Sequence, residues 1–420
     1  MGRIGKVVFI KNAVETLGYF SEQIATEMKS QGISIYFVDY DRMFETVDGL
    51  RRFAGKGDTA FITFNFIGLR GEDIFEETEG VTIWKSYEMS IFNILVDHPL
   101  YYHTWLAREV SGMTVFCIDR EHVRYIRRFY PGVKVKFLPL AGNVLTVRQS
   151  EERAACFNCA DSAIENYEKL WNYEEDLIPY HKRRYNLVFT ANYVSLEGVY
   201  AGIRQLEPDY QTFYREILED LIADPTQSID AVMEHHINME LGEVADSQKC
   251  TAMAGMALID LCVRSYYRGE IIRELAEQDI KVHVFGADWN LLSCRKPENI
   301  IHNGAQVDSA ACVQVVRDAR IALNIMPWFK DGVHDRVFTA MLQKTVALTD
   351  DSQYLRERFT NGEDIVFFSL KNRKNLPELV HMLLYDEENA MRIAENGYRQ
   401  AYEKDTWRAR TYELLGEFEG

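Results

Sequence analysis

The stretch "NIMPWFKDGVHDRVFTAMLQKTVALTD", residues 324–350, predicts a strand, a helix and a second strand in succession. Apolar runs at 321–327 and 345–350 are typical of buried strands, and "RVFTAMLQK" between them reads as the start of a helix. The loop before that helix is strongly polar and carries Lys330, Asp331, Gly332, His334 and Arg336. A strand–helix–strand unit is the repeating element of a parallel α/β sheet.

The rest of the chain repeats this alternation of apolar strands and amphipathic helices. Six apolar runs in the first part predict strands at 6–10, 33–40, 59–67, 90–98, 113–119 and 133–140. Six more in the second part predict strands at 186–193, 281–286, 299–304, 321–327, 345–350 and 364–369. Continuous apolar runs favour parallel sheets that helices cover on both faces. The sequence therefore predicts an α/β protein with two Rossmann-like, doubly wound domains.

The length of the chain also indicates two domains. Its 420 residues, 47% of them hydrophobic, exceed the roughly 250 to 300 residues at which a single core stops growing. We expect an N-terminal Rossmann-like domain over 1–150, a helical crossover over 151–183 and a C-terminal Rossmann-like domain over 184–400. Residues from about 196 to 278 are mostly helical and too many for one crossover helix, so they predict an insertion in the second domain.

Charge and composition exclude several classes of protein. The net charge of −17 argues against a nucleic-acid groove, which needs a clustered basic surface. No apolar run reaches the roughly 18 residues of a transmembrane helix, and the first residues lack the apolar core of a signal peptide, so we expect a cytoplasmic protein. Seven scattered cysteines fit reduced thiols, and Cys156 and Cys159 lie in a helical pattern rather than in a metal or redox site.

Open α/β sheets bind ligands beyond the carboxyl ends of their strands. In the second domain, the residues expected to line one crevice there are Asn192, Tyr193, Gly286, Trp289, the loop from Trp328 to Arg336, and Asp350. A helix N-terminus beside Arg336 and His334 would cradle a diphosphate, and Gly332 would let a ligand approach the backbone. Alternatively, Asp331 caps the helix and Arg336 forms a salt bridge with an interdomain carboxylate. The spacing alone leaves both interpretations open.

Three separated segments carry a family resemblance: 324–350, "YYRGEIIRELAEQDIKVHVFGADW" (266–289) and "IAENGYRQAYEKDTWRAR" (393–410). Together they resemble bacterial CgeB-like glycosyltransferases of the two-Rossmann (GT-B) superfamily, close to families 1 and 4. The resemblance covers roughly 186–418, and over 1–150 it concerns only the type of fold. It implies that the C-terminal domain binds a nucleotide-diphospho-sugar, that the N-terminal domain binds an acceptor, and that a last helix at 401–420 packs back on the N-terminal domain.

The resemblance also implies roles for single residues. Arg336 and His334 would face the diphosphate, and Asp331 with Gly332 the donor sugar. Many retaining members place a second, ribose-holding glutamate where this chain has Thr339, which puts that contact in doubt. The closest branch often has a histidine before its late Thr-Trp, where this chain has Asp405. The implied activity is that of a hexosyltransferase with a UDP-sugar as co-substrate, no other cofactor and no metal. The acceptor, which would be a glycan, a protein or a small molecule, and the choice between retention and inversion stay open.

An inverting enzyme needs a base for the acceptor proton as well as cations for the leaving diphosphate. Arg336 is the first candidate for the cationic role. Asp97 and His98 in "LVDHPLYYH", together with Asp119, are candidates for the base, since each follows a predicted strand. The alternative for His98 is a hydrogen bond within the loop before Pro99.

Two further alternatives stand beside this interpretation. Asp39-Tyr40-Asp41 has the Asp-any-Asp pattern with which single-domain (GT-A) transferases hold a divalent metal, although a solvated turn after the second strand also explains it. A nucleotide-sugar epimerase would use the same double-Rossmann architecture on the donor alone. A non-catalytic protein would bind the donor or a glycan without turnover.

Overall fold

Two six-stranded parallel β-sheets organise the protein, for which we have a computed structural model that describes residues 4–108, 112–145, 177–302 and 305–419. The chain divides into two units. The first comprises Met1–Asn172 with Lys404–Gly420, and the second comprises Tyr173–Glu403. No helix in the described part of the chain is both long and apolar enough to cross a lipid bilayer.

The sheet of the first unit has the strand order β2-β1-β3-β6-β7-β8, with every neighbouring pair parallel. Its strands are β1 (Lys6–Lys11), β2 (Ser34–Asp39), β3 (Thr59–Phe64), β6 (Ser90–Leu95), β7 (Met113–Cys117) and β8 (Lys134–Phe137). Every residue of β3 and β7 is buried, as expected for strands covered on both faces. The strand order reverses direction between β1 and β3.

Helices and one small hairpin complete the first unit. The helices are α1 (Glu15–Ser30), α2 (Met43–Phe53), α3 (Ile83–Ser86), α4 (His103–Leu106) and α5 (Arg120–Phe129), and the hairpin pairs β4 (Glu76–Thr78) with β5 (Val81–Thr82). Helix α1 buries Phe20, Ile24 and Met28 on one face, and its chain turns back at Gly32, which has φ 79°. The hairpin was not predicted, because its strands are short and contain no buried residue.

The sheet of the second unit has the order β11-β10-β9-β12-β13-β14, also fully parallel. Its strands are β9 (Tyr185–Thr190), β10 (Val282–Phe285), β11 (Ile300–His302), β12 (Ala319–Asn324), β13 (Val346–Asp350) and β14 (Val366–Phe368). This is the dinucleotide-fold order, in which the direction of winding reverses between the first and fourth strands of the unit, here β9 and β12. The predicted fold class of two Rossmann-like units is confirmed.

Five helices lie between β9 and β10 and form the helical insertion: α6 (Leu196–Ile203), α7 (Pro208–Ala223), α8 (Ile229–Leu241), α9 (Asp246–Gly255) and α10 (Leu258–Glu277). The remaining helices of this unit are α11 (Ser309–Arg317), α12 (Asp335–Leu342), α13 (Gln353–Arg358), α14 (Leu376–Tyr385) and α15 (Glu387–Lys404). Helix α12 begins directly after the polar loop that follows β12.

The last helix, α16 (Trp407–Gly416), belongs to the first unit. Trp407 donates its indole N–H to Asn143 Oδ1 at 2.9 Å and packs on Phe20 with ring centroids 5.1 Å apart. Arg410 donates to the Pro139 carbonyl at 2.8 Å and pairs with Asp405, whose side chain is fully buried. Asp405 therefore serves this internal ion pair at the start of the helix.

Part of the expected crossover at 151–183 lies outside the described residues, as do Cys156 and Cys159. Its described end, from 177 to 183, contains a 3₁₀ turn at Tyr180–Lys182. Arg183 follows the turn and donates to the carbonyls of Ala319, Lys344 and Gln343. The entry to the second unit is thus held by one guanidinium on backbone oxygens.

Candidate anion-binding site at the carboxyl edge of the second sheet

The candidate site lies where the strand order of the second sheet reverses, between the carboxyl ends of β9 and β12. Helix α12 starts there, and its N-cap residue is His334, which has extended backbone angles and no capping bond from its side chain. The N-cap position is therefore occupied by His334 and not by Asp331. The start of the helix gives this edge of the sheet a partial positive charge.

Arg336 lies in the first turn of α12. Its Nη1 donates to the Thr190 carbonyl at the end of β9 at 3.0 Å, and its Nε donates to His334 Nδ1 at 3.1 Å. The guanidinium carbon is 5.8 Å from the centre of the Phe189 ring. Within the described ranges no carboxylate forms an ion pair with Arg336, so the salt-bridge alternative finds no partner there.

Two further arginines reach this edge from α10, the last helix of the insertion. Arg268 donates Nη1 to the Asn192 carbonyl at 2.7 Å, while its Nε is buried without a hydrogen-bond partner. Arg264, one turn earlier, pairs with Asp260 at 2.7 Å and lies 5.7 Å from the centre of the Trp328 ring. We call Arg264, Arg268 and Arg336 the arginine cluster.

The positive charges of the arginine cluster repel one another, which makes protonation of each guanidinium less favourable. Burial lowers the pKa of Arg268 well below its usual range, and the charges of Arg336 and Arg264 lower it further. Burial also lowers the pKa of Arg336, against the opposing charge of Asp335. Burial and the same three guanidiniums hold the pKa of His334 well below its ordinary value. An anion bound here would relieve the repulsion.

The carbonyls that receive Arg336 and Arg268 are fixed by the loops after β9 and β10. Asn192 accepts the Ala287 N–H on its side-chain oxygen at 2.9 Å, and Trp289 donates to the Ala191 carbonyl at 2.7 Å. The backbones approach so closely at Gly286 that a Cβ there would lie 2.2 Å from the Ala191 oxygen. Gly286 and Asn192 therefore support the site through the backbone.

Tyr193 and Trp289 were predicted to line the crevice, but the structure buries both in the core. They are 4% and 1% exposed, and their rings stack with centroids 5.1 Å apart. Burial raises the pKa of Tyr193. These aromatic side chains pack beneath the loops and hold them in place.

The polar loop before α12 is turned inward over most of its length. Lys330 donates its ammonium to the carbonyls of Pro225 and Pro327, the latter at 2.6 Å. Asp331 is 2% exposed, and the Gly332 carbonyl accepts a bond from the Ser352 hydroxyl at 2.7 Å. The ammonium of Lys330 therefore bonds two backbone carbonyl oxygens.

Thr339 and Asp350 are also buried, at 5% and 3% exposure. Thr339 lies within α12 among apolar neighbours. Asp350, at the end of β13, accepts the Met326 N–H at 2.8 Å, and burial raises the pKa of its carboxyl to about 7. Its charge acts on Arg336, so both side chains belong to one electrostatic environment.

The candidate bases lie at the carboxyl edge of the first sheet. His98 is 5% exposed; its Nδ1 accepts the Leu100 N–H at 3.2 Å, as in the loop alternative. Asp97 is half-buried and accepts Asn65 Nδ2 at 3.0 Å and the Tyr102 hydroxyl at 3.1 Å, both on Oδ2. Asp119 caps α5 through the Glu121 N–H at 2.6 Å.

The Asp-any-Asp segment forms a capped turn. Asp39 accepts Asn12 Nδ2 at 2.7 Å and the Asp41 N–H at 3.1 Å, and the Lys11 ammonium lies 3.6 Å away. Burial opposes its ionisation, but these donors together lower the pKa of Asp39. In the residues that the structure describes, no group of three or more histidine, cysteine or carboxylate side chains is arranged to hold a metal ion.

Comparison with known proteins agrees with this architecture. Residues 264–416 match the model of a family described as glycosyl transferase-like, whereas no curated protein matches the sequence. The sucrose-phosphate synthase from Thermosynechococcus elongatus superposes with a TM-score of 0.50 at 10% identity, over 99% of this chain and 98% of that one. The DNA-modifying enzyme β-glucosyltransferase, solved with and without its substrate uridine diphosphoglucose, gives a TM-score of 0.52 at 10% identity, with 99% and 98% covered.

At this level of identity the likeness concerns the fold, which is the two-Rossmann GT-B fold of glycosyltransferases. The family match begins at Arg264 and includes the whole arginine cluster together with His334. Arg264 and Arg268 were missed in the sequence. The only signal for them is a pair of arginines four residues apart in a helix that otherwise reads as ordinary.

Proposed function

We propose that this protein is a glycosyltransferase of the hexosyltransferase type that moves a sugar from a nucleotide-diphospho-sugar, a UDP-sugar first of all, to an acceptor. The observation that carries the proposal is the arginine cluster at the reversal of the second sheet, where Arg336 and Arg268 meet at the end of β9 and a buried guanidinium N–H of Arg268 has no hydrogen-bond partner. The glycosyl transferase-like match over the same residues and the GT-B fold support it.

The chemistry explains why guanidiniums suit this position. Glycosyl transfer passes through an oxocarbenium-like state while negative charge grows on the departing diphosphate. Guanidiniums bind phosphate oxygens in a bidentate manner and stay charged. Arg336 and Arg268 now donate to the backbone oxygens of Thr190 and Asn192 and would exchange those bonds for stronger ones to phosphate. With the cations supplied by side chains, we propose that the reaction needs no metal.

The acceptor side of the proposal rests on the first unit. If the enzyme inverts, Asp97 is the better candidate than His98 to take the acceptor proton. Both donors to Asp97, Asn65 and Tyr102, bond Oδ2 and leave Oδ1 for an acceptor hydroxyl. His98 is nearly inaccessible, and its Nδ1 lone pair already serves the backbone.

A nucleotide series tests the donor site. Calorimetry with uridine, UMP and UDP should show affinity rising with each phosphate, and UDP should bind well below millimolar Kd. UDP is the first choice because the β-glucosyltransferase with this fold was solved with uridine diphosphoglucose. Equal binding of uridine and UDP, or no binding of UDP, GDP or ADP, would contradict the proposal.

Product analysis with UDP-glucose, UDP-galactose and UDP-N-acetylglucosamine distinguishes the alternatives. A transferase releases UDP, slowly to water and faster with a suitable acceptor. An epimerase interconverts the sugars without release of UDP. A protein that binds UDP and does neither with any of these donors would be the non-catalytic alternative.

A further inference from the structure

A buried polar pair lies directly behind the candidate site. Asn324 and Thr349 are the facing residues of β12 and β13, and they are 3% and 0% exposed. Asn324 Nδ2 donates to Thr349 Oγ1 at 2.9 Å, and Thr349 Oγ1 donates to the Asp350 carbonyl at 2.9 Å. A buried amide is costly unless both its ends are hydrogen-bonded, so the other end of Asn324 needs a donor.

The threonine fixes which way the Asn324 amide points. Because the Thr349 hydroxyl donates its only proton to the Asp350 carbonyl, its oxygen can only accept from Asn324. The amide nitrogen therefore faces Thr349, and the carbonyl oxygen Oδ1 faces His334 Nδ1 at 3.3 Å. For this contact to be a hydrogen bond, Nδ1 of His334 must carry a proton.

Arg336, in contrast, requires the same ring nitrogen to be unprotonated. Its Nε and Nη2 both approach His334 Nδ1, and a guanidinium has donors only. While Arg336 lies there, Nδ1 must accept, and Asn324 Oδ1 then faces a lone pair. Nδ1 cannot carry a proton for Asn324 and accept a hydrogen bond from Arg336 at the same time. The arrangement becomes consistent when Arg336 leaves, because Nδ1 can then carry the proton that Asn324 requires.

We propose that binding of a nucleoside diphosphate draws Arg336 away and switches the tautomer of His334, so that Nδ1–H donates to Asn324 and Nε2 accepts a bond from a hydroxyl of the bound donor. His334 is half-buried, and the hydrogen bonds of its ring to described residues are all at Nδ1, which leaves Nε2 for the ligand. This inference rests on the proposed donor site and deepens it: His334 recognises a hydroxyl rather than the phosphates, and Asn324 is the residue that positions it. The hydroxyl belongs to the ribose or to the transferred sugar.

Nitrogen-15 NMR of histidine-labelled protein tests the switch, with His334→Gln used to assign the signals. Without ligand, the unprotonated, pyridine-like nitrogen of His334 should be Nδ1. In saturating UDP it should be Nε2. A further change of the Nε2 signal with UDP-glucose, absent with UDP, assigns the hydroxyl to the sugar; a signal already changed by UDP and restored by 2′-deoxy-UDP assigns it to the ribose.

The outcomes separate this inference from the proposed function. If calorimetry shows that UDP binds while Nδ1 stays unprotonated, the switch is wrong and the donor site stands. If UDP does not bind at all, the donor site is wrong and the switch with it. A His334 that is doubly protonated in either state would also overturn the assignment.

Substitutions of Asn324 provide a second, independent test. Asn324→Leu removes the acceptor and should keep Nδ1 unprotonated even with UDP. Turnover of UDP-glucose should fall at least tenfold, with UDP affinity changed less than threefold if the hydroxyl belongs to the sugar and reduced by more than threefold if it belongs to the ribose. Asn324→Asp keeps an acceptor and should restore the switch. Asn299→Leu is the matched control, because Asn299 is also buried in this unit and donates to the Ala276 carbonyl away from His334. Equal effects of the two leucine variants would reduce Asn324 to a structural residue.

Discussion

The carboxyl edges of the two sheets carry different charged side chains although the sheets are built alike. In the first unit, Asp39, Asp97 and Asp119 follow three of the parallel strands, whereas in the second Arg336 and Arg268 meet at the end of β9. Both sheets have six parallel strands and one reversal of order. The architecture therefore provides a place for a ligand, and the side chains at the edge decide which ligand it is.

The two edges also differ in how well their charges are satisfied. The carboxylates of the first unit have local donors: Asn12 for Asp39, and Tyr102 for Asp97. The arginine cluster instead contains a buried guanidinium N–H without a partner, and its members lower one another's pKa. Charged groups that already have hydrogen-bond partners gain little from a ligand. Guanidiniums that repel one another, one of them with an unpaired N–H, are stabilised when an anion binds. Each prediction below tests one side of this contrast.

The largest effect is expected at Asp97. Asp97→Asn has the shape of aspartate and still offers an oxygen to Asn65 and Tyr102, but it cannot take a proton. Transfer should therefore fall roughly 10²- to 10⁴-fold while UDP affinity stays within twofold. The measurements are the rate of transfer to an acceptor that speeds the release of UDP, and calorimetry with UDP. Asp41→Asn, an exposed neighbour at the same edge, is the control. A retaining enzyme, or a different base, would show undiminished transfer.

Removing a guanidinium of the arginine cluster should weaken UDP binding. Arg268→Ala and Arg336→Ala should each cost about 2 to 4 kcal/mol, since each removes a charge-assisted contact to an oxyanion. Arg273→Ala is the matched control on the same helix, because Arg273 pairs with Glu270 and donates to Ser293. Equal UDP affinities in all three folded variants would show that the arginine cluster is not the anion site.

Gly286→Ala tests whether the loops that support the cluster tolerate a side chain. The added Cβ would lie 2.2 Å from the Ala191 oxygen, a backbone atom that cannot move without disturbing the Thr190 to Asn192 segment. We expect a loss of at least about 2 kcal/mol in the free energy of unfolding, measured by urea denaturation. Gly255→Ala, where no atom lies within 4 Å of the added carbon, should change it by less than about 1 kcal/mol.

Asp350 predicts a pH dependence of stability. Its folded pKa of about 7 lies above the value of roughly 3.9 in an unfolded chain, so its contribution is greatest below pH 4 and is lost as the pH rises through 7. In Asp350→Asn, the loss of stability between pH 5 and pH 8 should be smaller by about 2 to 3 kcal/mol, which lowers the fall in Tm by several degrees. Glu298→Gln, an exposed carboxyl of the same unit, should leave the pH profile unchanged.

No effect is expected from chelation. If the cations at the donor come from the arginine cluster, excess EDTA should leave UDP affinity and turnover within twofold. Asp39→Asn, changed in the capped turn of the first unit, should likewise bind UDP normally. Activity that is lost on chelation, restored by Mn²⁺ or Mg²⁺ and absent from Asp39→Asn would remove the contrast between the two edges, because the acidic edge would then serve the donor.

The strands were accessible from the sequence because burial on both faces leaves an unbroken apolar run. β3, predicted at 59–67 and observed as Thr59–Phe64, is one example, and β12, predicted at 321–327 and observed as Ala319–Asn324, is another. The polar loop after β12 was located for the same reason, since polar residues between two buried segments mark the end of a strand. Its individual contacts were not accessible: Lys330 was grouped with Arg336, yet it bonds the carbonyls of Pro225 and Pro327.

By itself, then, the sequence determined the two parallel α/β units, the position of the strand ends and the presence of Arg336 at a helix start, because each follows from local hydrophobic periodicity and local backbone chemistry. Tertiary structure alone decided that Arg268 donates to Asn192, 76 residues earlier in the chain, and that Tyr193 and Trp289 turn into the core. It also decided that Asn324 faces His334. A long side chain such as arginine can extend in many directions, and only the packing of α10 against its neighbours selects the one that meets the end of β9.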